Sequence, residues 1–389
     1  MIDFPPTSEP LGSTGEGLNN LGQVCGHYHV GVGNDHAFIW NPNTGLSFPP
    51  NLPGAVDSQA TAISDSPVNG PNGLVVGTMD ILSCCVRAFA FDGVNTSDLG
   101  TLGGLHSDAE AVNVNNWIVG SADATSAYHA SLWRNGRIID IGVAFGASRF
   151  SIADDLNDSG AVVGSILGAF PLPGDRAFLW SHGIIVDFPP TPGGISSAAH
   201  AINNRGEILI SGLYDVGSTQ NEYRRDAFVY RNGTWTPLGA FGPVKGFDFA
   251  SNDPHDINDA GVVVGNCVTI ETGFGLPYVW QNGVIRRLDL MTVDLTPNLH
   301  YQLREARRIN NLGQILGEVT DPVTSRLRAV LLNPLPALPG DTNCDGLVNI
   351  DDLTDVILNW NNTGGEADLN FDQHVDSADL AQVIENWSR

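Results

Sequence analysis

One unit recurs seven times along roughly the first 333 residues of this 389-residue chain, and self-similarity at such a period restricts the fold more than any compositional feature. Its clearest marker is an Ala-Phe-x-Trp-like strand. It reads His36-Ala37-Phe38-Ile39-Trp40, Arg87-Ala88-Phe89-Ala90-Phe91, His129-Ala130-Ser131-Leu132-Trp133, Arg176-Ala177-Phe178-Leu179-Trp180, Asp226-Ala227-Phe228-Val229-Tyr230, Leu276-Pro277-Tyr278-Val279-Trp280 and Arg328-Ala329-Val330-Leu331-Leu332. The alanine-equivalent positions lie 42 to 52 residues apart. A turn and a β-branched run precede each marker, as in Asn20-Leu21-Gly22-Gln23-Val24 and Gly160-Ala161-Val162-Val163-Gly164. Asn and Gly tolerate the positive φ of a tight turn, so Asn-x-Gly between hydrophobic runs signals a hairpin. A second turn, such as Asn135-Gly136 or Asn282-Gly283, and a last short strand follow each of the first six markers. Each unit is therefore about four short antiparallel strands.

Four-stranded units with no helical segments between them predict a β-propeller rather than a solenoid or a sandwich. The seventh unit stops after its third strand near Leu332, while the chain opens on Met1-Ile2-Asp3-Phe4-Pro5-Pro6, a copy of the fourth-strand ending Val186-Asp187-Phe188-Pro189-Pro190. The expected fold is mainly β: a seven-bladed β-propeller over residues 1–333, closed by the N-terminal strand so that no edge is left open. A proline-rich linker, 334–340, leads to a small α-helical module over 341–389.

The repeats resemble the HAF repeats of bacterial extracellular proteins. The His-Ala-Phe marker stands intact at His36-Ala37-Phe38, and the family's glycine-rich tail at Leu99-Gly100-Thr101-Leu102-Gly103-Gly104. The resemblance spans about residues 1 to 335 and implies a secreted repeat protein, often of environmental bacteria, to which it assigns no reaction.

The last fifty residues carry one twelve-position acidic loop twice, from Asp341 to Asp352 and from Asp368 to Asp379. Carboxylate or amide oxygens at positions 1, 3, 5, 9 and 12, with a backbone carbonyl at 7, suit one calcium ion per loop. After the loops, Leu353, Val356, Ile357 and Trp360 recur as Leu380, Val383, Ile384 and Trp387, which predicts a helix with one apolar stripe after each. Pro334, Pro336 and Pro339 before the first loop, and Gly364-Gly365 before the second, disfavour a full helix-loop-helix EF-hand. The arrangement resembles the type I dockerin, a duplicated loop-plus-helix module that docks onto cohesin domains. That resemblance implies one Ca2+ at Asp341, Asn343, Asp345, the Leu347 carbonyl, Asn349 (directly or through water) and Asp352. It implies a second at Asp368, Asn370, Asp372, the His374 carbonyl, Asp376 and Asp379. Partner choice falls to loop positions 10 and 11, here Ile350-Asp351 and Ser377-Ala378. Gln373 stands where the first loop has Gly346, which predicts a weaker second site. Because residues 341 to 389 hold eleven Asp or Glu against the single Arg389, calcium removal is expected to unfold the module.

Function is less legible than fold. The residues before the marker alanines, His36, Arg87, His129, Arg176, Asp226, Leu276 and Arg328, share no metal ligand and no common charge. The Asn pairs Asn19-Asn20, Asn115-Asn116, Asn203-Asn204 and Asn310-Asn311 read as turn formers. The sialidase-type turn, the Gly-x-Ser-x-Gly elbow and the His-Glu-x-x-His zinc motif are all absent. Acidic residues from separate blades, among them Asp154, Asp155, Asp215 and Asp256, remain the only candidates for a glycosidase acid and base. Three readings follow. In the first, the propeller is a cargo or adhesive module for polysaccharide or a surface protein, attached by the dockerin to a cohesin-bearing scaffold or cell surface. In the second it only supports assembly, and in the third it is a polysaccharide-degrading hydrolase or lyase of a cellulosome-like complex.

A net charge of −25 with a single lysine, Lys245, argues against nucleic acid as a partner. No apolar run reaches membrane-spanning length, and no charged n-region with an apolar h-region opens the chain. Met1 falls inside an expected strand, so an extracellular location implies a signal peptide upstream of this sequence. Among five cysteines at least one thiol is left over. The neighbours Cys84 and Cys85 are expected to be buried, inert thiols rather than a bridge.

Overall fold

The computed structural model describes residues 2–4, 12–30, 34–67, 70–82, 84–168, 174–215, 223–244, 247–249, 251–268, 275–291, 302–334, 339–342, 347–362, 367–370 and 374–387. The repeats form seven four-stranded antiparallel sheets, the blades of a β-propeller. Six blades are written consecutively along the chain. The seventh takes Gln302–Ile309, Ile315–Thr320 and Leu327–Leu332 from one end and Ile2–Phe4 from the other. Ile2 lies opposite Leu331 and Phe4 opposite Ala329, so the N-terminal strand completes the last sheet as its sequence predicts. The first strands of successive blades touch one another in a closed circuit and therefore line the central channel. A short hairpin, Gly242–Val244 with Phe247–Phe249, stands between blades five and six and has no counterpart in the repeat pattern.

The Ala-Phe marker is apolar at consecutive positions because the third strand of each blade is covered on both faces. Successive side chains of a strand point to opposite sides. Ala37 accordingly packs with blade two and Phe38 with blade seven. One apolar cluster fills every junction between blades around the ring. Phe38, Phe89 and Phe178 are each 0 % exposed there, and burying such a ring contributes about 1.5–3 kcal/mol.

Beyond the propeller, α1 (Ile350–Leu358) and α2 (Ser377–Glu385) are built alike. Asn349 and Asp376 cap them, each accepting from the backbone N–H two residues on, and Asp352 and Asp379 reach back to complete a capping box. The core between them is symmetric: Val348 with Val375, Val356 with Val383, and the half-buried Leu353 with Leu380. The expected apolar stripes are only half buried. Ile357 is 56 % and Ile384 59 % exposed, and Trp360 and Trp387, both beyond the helices, are 40 % exposed.

Candidate functional site

The channel is built by one irregularity repeated seven times. Each first strand carries an extra residue opposite no partner: Glu16, Thr61, Glu110, Asp154, His200, His255 and Arg307. Such a bulge sharpens the local twist and re-aims a side chain. It also brings a backbone carbonyl against the second strand, which explains the glycine ending the β-run. A Cβ at Gly26, Gly77, Gly120 or Gly164 would stand 2.0, 2.0, 2.0 or 2.1 Å from a carbonyl oxygen of the bulged strand. Sequence reasoning missed this polar ring. Its signal is the small residue before each bulge: Gly15, Ala60, Ala109, Ala153, Ala199, Pro254 or Ala306.

Acidic and basic groups meet across this ring. Arg307 lies 3.2 Å from Glu16, 2.8 Å from Glu305 and 3.3 Å from Glu318. Burial pushes the Glu110 carboxyl up to about 7, with repulsion from Asp108 adding to it, while Arg308 opposes the rise. Glu110 is open to water yet enclosed by protein, as a side chain in a narrow channel is. Asp154 is raised well above the usual carboxylate range, by burial first and then by Glu110, and its Oδ2 is buried without a hydrogen-bond partner.

Asp155 and Asp256, two of the sequence candidates for acid-base chemistry, hold backbone instead. Asp155 accepts from Leu156 N–H and from Ile202 N–H of blade five, both at 2.8 Å. Asp256 repeats the clasp with Ile257 and with Ile309 of blade seven, also at 2.8 Å. Burial still lifts Asp155 to about 7. Asp215 ends the second strand Ile208–Asp215, past its last pairing with the lining strand, Ala198 opposite Ser211.

These shifts fix the sign of a pH dependence. Unfolded carboxyls ionise near pH 4, whereas Glu110 and Asp155 hold their protons to about 7 in the fold. Between those values the native state binds more protons, so stability falls as pH rises through the window. The buried His200, held neutral down to about 4, works the opposite way below about 6.5, so at fixed saturating calcium the propeller's melting temperature is expected to be lower at pH 8 than at pH 6.5, with Glu110→Gln flattening the slope. A melting temperature that rises across this range contradicts the assignment.

At one end of the channel the turn asparagines do more than turn. Asn19, Asn113, Asn157, Asn203, Asn258 and Asn310 each donate from Nδ2 to a backbone carbonyl of the next blade, at 2.9 to 3.2 Å. Their Oδ1 atoms meanwhile accept from the turn's own N–H groups. Blade two has Ser64 instead, whose hydroxyl bonds Asn116 of blade three at 3.1 Å. The next position forms a second ring, in which Asp65, Asp158, Asn204, Asp259, Asn311 and Asn20 accept backbone N–H groups of the preceding blade. These residues line a polar depression of about 160 Å³ at the channel mouth.

At the other end of the lining strands, serines clasp the markers. The N–H groups of Ala37, Ala88, Ala130, Ala177 and Ala329 donate to Ser58, Ser107, Ser151, Ser197 and Ser13 of the next blade. Blade six has Pro277 at the marker alanine, with no N–H to give, and no serine clasp joins it to blade seven among the described residues. Four of the residues before the markers are paired with nearby carboxylates. Arg87 meets Asp98 at 3.7 Å, His129 meets Asp140 at 2.9 Å, Arg176 meets Asp187 at 3.0 Å and Arg328 meets Asp321 at 3.6 Å. Cys84 and Cys85 form a disulfide, contrary to the expectation of inert thiols, and Cys85 is buried at the start of its strand. Cys25 and Cys267 are buried free thiols, both pushed up by desolvation, Cys267 to about 12.

In the C-terminal module, Asp352 and Asp379 are 0 % exposed. Each spans its loop in the same way. Asp352 accepts from Thr342 N–H and Asn349 N–H, both at 2.8 Å; Asp379 accepts from Leu369 N–H at 2.7 Å and Asp376 N–H at 2.8 Å. Asp368 is 5 % exposed, and Asp341, Asn349 and Asp376 are half-buried. Leu347, Asn370 and His374 are exposed, as are Ile350, Asp351, Ser377 and Ala378. Asn343, Asp345 and Asp372 lie outside the described residues.

No family model matches the chain. No curated protein matches it either. Among solved structures, it is similar to the β-propeller domain of the Trilobed protease from Pyrococcus furiosus, at 11 % identity over 83 % of this chain and 94 % of that one, with a TM-score of 0.51. It is also similar to a Mycobacterium tuberculosis puromycin-hydrolyzing peptidase (15 % identity, 84 % of this chain, TM-score 0.48) and to TolB from Acinetobacter baumannii (10 %, 68 %, TM-score 0.44). It spans 53 % and 62 % of those two chains. At 11 % identity the likeness to the Pyrococcus furiosus domain is one of fold alone, and the fold is that of a β-propeller.

Proposed function

We propose that this chain is a non-catalytic, calcium-dependent assembly protein of the extracellular space. Its HAF-repeat propeller is a closed, rigid body that holds polysaccharide or a surface protein, and residues 341–389 act as a dockerin that joins it to a cohesin-like domain. The observation that carries the reading is the pair of fully buried carboxylates, Asp352 and Asp379, clasping two loops in the same manner. Buried carboxylates in a segment whose only Lys or Arg is Arg389 suit a bound cation, and the all-oxygen donor set is that of a hard one. The implied ligands among the described residues, Asp341, Asn349, Asp352, Asp368, Asn370, Asp376 and Asp379 with the Leu347 and His374 carbonyls, are oxygen donors throughout, as calcium prefers. When bound, calcium supplies the positive charge that lets both loops close.

Docking by this module suits the surface around the helices. The recognition position Ile350 is 59 % exposed, Ile357 56 % and Leu358 76 %, and the recognition positions Asp351, Ser377 and Ala378 are exposed as well. The propeller side of the reading rests on Asp155, Asp256 and the turn asparagines, which are spent on neighbouring backbone and tie the blades together as a scaffold.

Calorimetric titration of the chelated full chain with Ca2+ tests the proposal, with circular dichroism alongside and a cohesin panel next. Two binding events with a gain of helix are expected. Asp352→Ala should abolish the first and Asp379→Ala the second, each weakening affinity by about 100-fold or more. A chain without calcium response, or one that binds cohesin equally in chelator, would refute it.

A further inference from the structure

We propose that His27, His29 and Asp35 form a binding site for a first-row transition-metal dication of zinc-like preference, on the face of blade one that meets blade two. His27 and His29 alternate on the strand Val24–His29 and so project from one face. Asp35 lies directly opposite His29 on the adjoining strand. One ligand atom from each of the three falls within 4.8 Å of the others. His29 Nδ1 touches Asp35 Oδ1, while His27 Nε2 stands 3.8 Å from Asp35 Oδ2. The two imidazoles meet edge to face at 5.5 Å.

A histidine-carboxylate pair alone is an ordinary surface contact, and His27 is what sets this one apart. It is 8 % exposed, its Nδ1 is buried without a hydrogen-bond partner, and its Nε2 lies beyond hydrogen-bond distance of the carboxylate. Burying an imidazole nitrogen without a partner costs free energy, and the Nε2 on the Asp35 side of the ring is left to a cation. The carboxylate is held from blade two. Gln59 Nε2 donates to Asp35 Oδ2 at 3.0 Å, and the Asp35 N–H donates to Asp57 Oδ2 at 3.2 Å. Such supporting bonds are what orient metal ligands.

Two imidazoles and one carboxylate suit a borderline dication. The same set suits calcium poorly, since calcium wants six or more oxygens. Three protein ligands leave at least one coordination position for water or an external donor. The site is remote in sequence from the acidic loops and does not rest on the calcium reading.

The full chain, stripped by chelation and returned to saturating calcium, would be titrated with Co2+ while visible absorption is recorded, and then with Zn2+ in a calorimeter. One Co2+ per chain is expected, with the ligand-field bands of nitrogen coordination, bleached by added zinc. His29 has a side chain 42 % exposed, so its loss leaves the fold intact. His29→Ala and Asp35→Asn should each weaken zinc binding at least tenfold, and Gln59→Ala about tenfold. His182→Asn, in an exposed turn of blade four, should leave it unchanged. Absent cobalt bands at stoichiometric metal, or equal zinc affinity in His29→Ala and the parent chain, would overturn the assignment.

Discussion

Gly164→Ala is expected to destabilise the propeller by about 3 kcal/mol, because the new methyl has nowhere to go. Its Cβ would stand 2.1 Å from the carbonyl oxygen of Ile152 and 2.9 Å from the Cα of Ala153, both backbone of the bulged strand. A flexible side chain could swing aside, but a backbone carbonyl moves only if the bulge itself is rebuilt. Rebuilding would shift Asp155 from the N–H groups of Leu156 and Ile202 that it clasps. Gly183→Ala in the same blade is the control. That glycine has φ +84° with nothing within 4 Å of a Cβ, so only the left-handed backbone is penalised, at about 1 kcal/mol. Blade five departs from the pattern with Ile210, fully buried among Val163, Ala177 and Ile202, so that junction is packed differently from its neighbours. Urea unfolding at fixed calcium measures both variants. Equal costs would mean that the carbonyl yields freely, and the repeated glycine would need another explanation.

The blade count, the strand number per blade and the closure by Ile2–Phe4 were all legible, because each is written as a period or as a copied segment. The marker strands were found for the reason they exist: both faces are buried, so Ala37 and Phe38 are apolar side by side. The bulges were not legible, since one unpaired residue in a strand leaves the apolar alternation almost intact. A small residue followed by Glu, Thr, Asp, His or Arg announces them only when the seven first strands are aligned. The asparagines were read as turn formers, and they are. Their second task is invisible locally, since the carbonyl each one reaches lies on the next blade. The same limit applies to Asp155 and Asp256, whose acidic character suggested chemistry while their partners are backbone N–H groups 47 and 53 residues away. At the C-terminus the two helices were legible, but the stripe was overread. In a module this small, two helices bury Val356 and Val383 against each other and leave Ile357 and Ile384 outside.

The asparagine ring yields the second large effect, at Asn203, which is 4 % exposed. Its Oδ1 accepts from Arg205 N–H at 3.1 Å and Glu207 N–H at 3.0 Å; its Nδ2 donates to Asn258 O of blade six at 2.9 Å and to Glu207 Oε2 at 2.6 Å. Alanine there leaves those buried groups without that partner and is expected to cost about 3 kcal/mol. Asparagine is required because one face of the side chain must accept from its own turn while the other donates across the junction. Asn203→Asp keeps the acceptor but turns a carboxylate oxygen toward Asn258 O and Glu207, so it should destabilise at least as much. The neighbour Asn204 crosses the same junction, giving its N–H and its Nδ2 to Asp259, and accepts from Asp158 N–H of blade four, but it is exposed. Water replaces the lost side-chain partner there, and Asn204→Ala should cost under about 1 kcal/mol. Thermal and urea unfolding of the three variants decide the matter. If Asn203→Ala is as mild as Asn204→Ala, the apolar clusters alone hold blades five and six together and the ring is incidental to closure.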